Sequence, residues 1–157
     1  MRRVLALTLV VCSSALAAKR VVVKVAVTPK DGTNSIIASV ENQTAQPVTF
    51  CVEFGQRSVD GNIVESTPIP FEIQAQSDKG WSTLLIGPDV GSARRPVVLE
   101  GGKSADFPFR LRHTGKFRLL LRYWNGAAPD LNCKQPPAGS RQVKSSTALA
   151  QLVYTLE

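Results

Sequence analysis

Residues 105–124 read ADFPFRLRHTGKFRLLLRYW. Ala105, Phe107, Phe109 and Leu111 alternate with polar residues or proline, and beyond His113-Thr114-Gly115 the alternation resumes with Phe117, Leu119, Leu121 and Tyr123. Side chains two residues apart share a face of a strand, so this spacing describes strands with one apolar, core-facing side. The stretch is expected to form a hairpin that turns at His113-Thr114-Gly115, its register fixed by the need to keep the apolar set inward.

The same period runs outward in both directions. Val48, Phe50, Val52 and Phe54 share one face of the run Pro47 to Phe54, which follows the polar turn Asn42 to Gln46 and a strand from Ser35 to Glu41. Val21 to Thr28 is β-branched and runs into Pro29-Lys30-Asp31-Gly32, where Asp-Gly is a strong turn signal. Val59 to Pro70 carries two prolines that cannot donate to a ladder and reads as loop and edge. Phe71 to Gln76 and Trp81 to Ile86 read as strands joined at Ser77-Asp78-Lys79-Gly80, and Gly87 to Gly91 breaks the chain before Pro96 to Leu99. A long Pro/Gly/Ser-rich connection from Asn125 to Ser145 precedes a last strand, Thr147 to Leu156. No helical period competes. The expected fold is all-β, an immunoglobulin-like antiparallel β-sandwich of about seven to nine strands.

The N-terminus has the parts of a secretory signal peptide: Met1-Arg2-Arg3, the apolar run Val4 to Val11, and Ala15-Leu16-Ala17-Ala18. Residues 1–18 are expected to be removed, leaving one domain over 19–157 that is secreted or periplasmic. Two other export signals fit less well. Arg2-Arg3 lacks the polar residues that usually precede a twin-arginine pair, and Val11 is bulky for the position before a lipidated Cys12. No apolar run after residue 20 is long enough for a transmembrane helix. Losing Arg2 and Arg3 takes Lys+Arg from 19 to 17 against 12 acidic residues, so the formal charge falls from +7 to +5. Cys51 and Cys133 are the thiols left after cleavage, and in an oxidising compartment they are expected to form a disulfide, the alternative being two buried free thiols.

Three stretches, ASVENQTAQPVTFCVEF (38–54), VVLEGGKSADFPFRL (97–111) and GKFRLLLRYW (115–124), resemble bacterial immunoglobulin-like domains, loosely those of the intracellular proteinase inhibitor (BsuPI) type. The resemblance spans Ser35 to Trp124. It implies a sandwich and, through the inhibitor likeness, protease inhibition as a second functional reading.

Catalytic chemistry finds little support. His113 is the sole histidine and lies in the expected turn, and no G-x-S-x-G elbow is present. Gly101-Gly102-Lys103-Ser104 mimics the end of a phosphate loop, but position 97 is Val where the leading glycine belongs, and the segment opens a strand rather than a helix. The histidine and cysteine count supports no metal site, and no cofactor is implied. Asn42-Gln43-Thr44 matches a glycosylation acceptor but reads more simply as a turn.

Alternation along the expected hairpin directs Arg110, Arg112, Lys116, Arg118, Arg122 and Trp124 outward, a basic ladder ending in an aromatic. Like charges facing one another on a sheet are destabilising, so such a ladder calls for anions, either neighbouring carboxylates such as Glu53 or an external ligand. An anionic envelope polymer or an acidic protein suits an exported chain better than nucleic acid does, since stacking aromatics are scarce. A Cys51–Cys133 bond would draw the long loop across an outer face and could cover Trp124. The sequence thus points to a non-enzymatic binding or structural module of the cell envelope, with inhibition of secreted proteases through the Ala127 to Ser140 loop as the alternative.

Overall fold

The computed structural model describes residues 19–59, 62–65, 68–84 and 92–151. The expected signal segment, the break at Gly87 to Gly91, the residues Leu85 and Ile86, and the part of the last expected strand beyond Gln151 lie outside them. In chain order the strands are β1 (Val21–Lys30), β2 (Thr33–Asn42), β3 (Val48–Val59), β4 (Asn62–Glu65), β5 (Phe71–Ser77), β6 (Gly80–Thr83), β7 (Ser92–Leu99), β8 (Ser104–Leu111), β9 (Gly115–Asn125), β10 (Arg141–Lys144) and β11 (Ala148–Ala150). Seven of them have seven residues or more. The chain is an all-β, immunoglobulin-like antiparallel sandwich.

One layer is a three-stranded sheet in the order β1-β2-β8, and the other holds the remaining eight strands. The larger sheet is organised on β9. Leu121 pairs with Phe71 of β5 and Val143 of β10, while Tyr123 pairs with Phe50 of β3 and Arg141 of β10. Because a residue has one partner per edge, β3 and β5 follow each other along one edge of β9, with β10 and β11 along the other.

The core lies where the apolar faces meet. Val21, Val23, Ile36, Ala38, Val40, Phe107, Phe109 and Leu111 from the small sheet pack against Val48, Phe50, Val52, Phe71, Ile73, Phe117, Leu119 and Leu121 from the large one. Phe107 joins the layers directly. Its ring stands edge-on to Phe50 at 5.9 Å and to Phe71 at 5.8 Å, the geometry that sets the positive edge of one ring against the negative face of another.

The expected hairpin of Ala105 to Trp124 is not formed. β8 pairs with β2 and β9 with strands of the other sheet, so Arg112 to Thr114 cross from one layer to the next as an arch. The inward residues are those the spacing predicts, but alternation states only which side chains face the core. Strands of an arch satisfy it from opposite sides, whereas strands of a hairpin satisfy it side by side.

Two buried asparagines on β2 close the ends of the sandwich. At the arch, Asn34 Nδ2 donates to the carbonyls of Leu111 (3.2 Å) and His113 (3.0 Å), and its Oδ1 accepts from the Gln151 amide (3.0 Å). At the opposite end Asn42 Nδ2 donates to the carbonyls of Gln46 (2.8 Å) and Leu99 (3.0 Å), and its Oδ1 accepts from the Thr44 amide and hydroxyl. Asn42 is 1% exposed with its amide nitrogen committed, which makes it a turn residue and not a glycan acceptor. The glycine pair docks on this turn: Gly102 N–H donates to the Asn42 carbonyl (2.7 Å), and the Asn42 N–H donates to the Lys103 carbonyl (2.9 Å).

A Cβ on Gly101 would lie 2.6 Å from both the carbonyl carbon and the carbonyl oxygen of Ala45, backbone atoms that cannot rotate away. Gly101→Ala is therefore expected to destabilise the fold by about 2 kcal/mol, the cost of overpacking a closed contact. Denaturant unfolding checks this, with Lys103→Ala, on the exposed side of the same turn, expected to stay near the parent value.

Candidate anion-contact face

The arch divides the six residues of the expected ladder. Arg110 lies on the outer face of the three-stranded sheet and Arg112 just past the end of β8, both exposed. Lys116, Arg118 and Arg122 lie on the outer face of the other sheet. A single face holding all six does not exist, because the two strands turn their backs to each other across the core.

Trp124 does lie outward, but at 8% exposure it is covered. The cover is the loop after β9, held at several points. The Thr49 hydroxyl donates to the Gly126 carbonyl (2.8 Å) and accepts from the Ala128 amide (2.9 Å), and the Gly126 N–H donates to the Pro47 carbonyl (2.8 Å). Further on, Cys51 and Cys133 are disulfide-bonded, and Trp124 Nε1 donates to the Pro137 carbonyl (3.1 Å). The tryptophan is packing. Glu53, considered as a partner for the ladder, instead receives Arg94 of β7 in an ion pair at 2.7 Å.

What remains on the larger sheet is a smaller but denser cationic face. Among the described residues, the outer faces of β5, β6, β9 and β10 carry Lys116, Arg118, Arg122 and Lys144 against a single carboxylate, Glu72, whereas Arg141, the register partner of the inward Tyr123, lies on the other side of its strand. Alternate residues of a strand are about 7 Å apart, which spaces Lys116 from Arg118. Between Arg118 and Arg122 the outward position is Leu120, and Lys144 is its register partner on β10. The result is a staggered line of positive charge along β9.

Arg118 is built into that line. Its guanidinium carbon lies 4.1 Å from the centre of the Trp81 ring, and its Nε donates to Gln74 Oε1 at 2.9 Å. Gln74 Nε2 in turn donates to Glu72 Oε1 (2.8 Å), which also accepts the Thr83 hydroxyl (2.6 Å). These bonds, Thr83 first and Gln74 second, hold the Glu72 carboxyl below its ordinary range. Partial burial pushes the other way, and Arg122 adds attraction. Glu72 thus stays charged yet is committed to neutral neighbours, and it leaves Lys116, Arg122 and Lys144 exposed without an ion pair among the described residues.

Trp81, Gln74, Glu72, Thr83 and Lys144 were not singled out from the sequence. The available signal was the Leu119-Leu120-Leu121 run. Three successive apolar residues mean that a strand is buried on both faces, so the outward Leu120, 7% exposed, had to be covered by neighbouring side chains on the outer face.

Among solved structures, the ASH / PapD-like domain of human CEP192 (PapD-like domain 7) is similar to this chain at 12% identity and a TM-score of 0.35, over 99% of this chain and 100% of that one. No family model and no curated protein matches the chain.

Proposed function

We propose that this protein is an exported, non-enzymatic module of the cell envelope that contacts an anionic polymer or an acidic protein surface through the outer face of its larger sheet. The observation that carries the reading is the imbalance on the outer faces of β5, β6, β9 and β10, four cations with one carboxylate that is already hydrogen-bonded to Thr83 and Gln74. The Cys51–Cys133 bond supports an oxidising destination, since such bonds persist outside the cytosol.

The test avoids Arg118, whose stacking on Trp81 gives it a structural share. Lys116→Gln, Arg122→Gln and Lys144→Gln combined are expected to abolish retention on an immobilised polyphosphate-type polymer while leaving the melting temperature within about 2 °C of the parent, exposed substitutions usually costing little. Arg110→Gln, on the opposite layer, is expected to be retained like the parent. Screening shortens from about 10 Å at 0.1 M salt to about 3 Å at 1 M, so parent retention is expected to fall steeply over that range. Undiminished retention of the triple variant would reject the face as the contact surface.

A second reading, inhibition of secreted proteases, is favoured by one feature. The run Lys134 to Gly139 is exposed while Cys133 behind it and Pro137 within it are fixed to the sheet, which gives the preorganised loop that an inhibitor requires. Cleavage assays with broad-specificity extracellular proteases, comparing the parent with a chain whose Lys134–Gly139 segment is replaced by Gly and Ser, separate the two readings.

A further inference from the structure

The outer face of the three-stranded sheet is a separate surface with its own pattern. Register places Ala26, Ile37 and Pro108 in one row across the sheet, and Ile37 is 49% exposed at its centre. Two residues to one side of this row along β8 is Asp106, and two residues to the other side is Arg110. Asp106 accepts a hydrogen bond from the Ser39 hydroxyl (2.6 Å) and makes no ion pair among the described residues. Lys24, across the sheet in the same row, is taken by Glu41. Arg110 makes no hydrogen bond or ion pair among the described residues and opens onto a shallow cleft with Lys30, Asp31 and Thr33.

An unpaired acid and an unpaired base, equally spaced about an exposed apolar row on one strand, are self-complementary under a two-fold rotation. With the axis lying along the row and between two stacked faces, Ile37 meets Ile37 and each Asp106 meets the Arg110 of the other copy. A face that matches itself in this way is what an isologous dimer requires. We propose that the outer face of the three-stranded sheet seats a second copy of this chain, through the Ala26–Ile37–Pro108 row and two reciprocal Asp106–Arg110 pairs. The flat area is modest. Three strands at about 4.8 Å spacing and eight paired rows at about 3.4 Å give roughly 400 Å² per copy, at the low end of specific contacts, so the dimer is weak and concentration-dependent.

Sedimentation equilibrium of the protein is expected to show a monomer–dimer transition with a dissociation constant on the order of 100 µM. Asp106→Arg and Arg110→Asp alone are each expected to weaken self-association at least about tenfold, because each sets like charges against one another twice. Mixing the two variants in equal amounts is expected to restore dimerisation, since every facing pair is then opposite in sign. Should either variant fail to fold, Ile37→Lys on the central strand carries the same expected tenfold loss. A parent that stays monomeric at about 1 mM, single variants that associate like the parent, or a mixture that does not recover would each overturn the proposal. The last two outcomes would indicate pairing through a sheet edge or another face.

Discussion

Phe107→Ala is expected to cost about 4 kcal/mol, among the largest effects of any single substitution in this chain. Phe107 is 6% exposed and contacts Phe50 and Phe71 from the other layer, so truncation removes its own burial and one partner from each of two edge-to-face pairs. The neighbours are strand residues, Phe50 paired on both edges and Phe71 on one, and cannot readily close the void, which keeps the cost within the usual range for such a truncation. The midpoint of guanidinium unfolding should fall accordingly with an unchanged slope. Phe107→Leu, which keeps most of the volume, is expected to lose less than half as much. Equal losses for the two variants would mean that the aromatic edges, and not the filled space, hold the layers together.

Removing the Cys51–Cys133 bond is expected to cost about 4 kcal/mol, and it acts mainly on a different state. The bond spans a sequence separation of 82, so its chief effect in the chain-entropy account is to restrict the unfolded ensemble. The folded protein should feel the loss locally. The loop keeps its Thr49 hydrogen bonds at one end, but at the other, among the described residues, only the Trp124–Pro137 bond holds the Lys134 to Gly139 run to the sheet. In a Trp81→Phe background, reduction is expected to shift Trp124 emission to longer wavelength under native conditions, and amide exchange should rise over 127–140 while that of β2 stays slow. An unchanged unfolding midpoint after full reduction would count against the cross-link as a stabilising element.

The inward set of nearly every long strand was legible in the sequence, because burying one face of a pleated strand forces a period of two. Phe107, Phe109, Leu111, Phe117, Leu119 and Leu121 are all core. The partner of each strand was not legible. His113-Thr114-Gly115 is short enough for a tight turn and long enough for an arch, and nothing local distinguishes them. What decides is remote: Ile36 and Phe109 face each other across the β2–β8 ladder, although most of the larger sheet lies between them in sequence. The anion-contact face was half legible for the same reason. The positive charges on β9 were visible, whereas Trp81 beneath Arg118 and Lys144 beside Leu120 reach β9 only through pairing. Trp124 was read as outward with a loop that could cover it, and the Pro137 carbonyl provides that cover.

The arch also governs how the chain can reach this structure. The three-stranded sheet takes β1 and β2 from the start of the domain and β8 from beyond β3 to β7, so its third strand cannot dock until a long excursion through the other layer has been closed. Asn34 adds to the delay, because its amide finds the Leu111 and His113 carbonyls only once the arch exists. The three-stranded sheet therefore completes late, because the closure of that excursion must be met before the β2–β8 contacts repay it. This topology, dominated by non-local pairing, belongs with the slow folders, whose rates lie in the millisecond-to-second range.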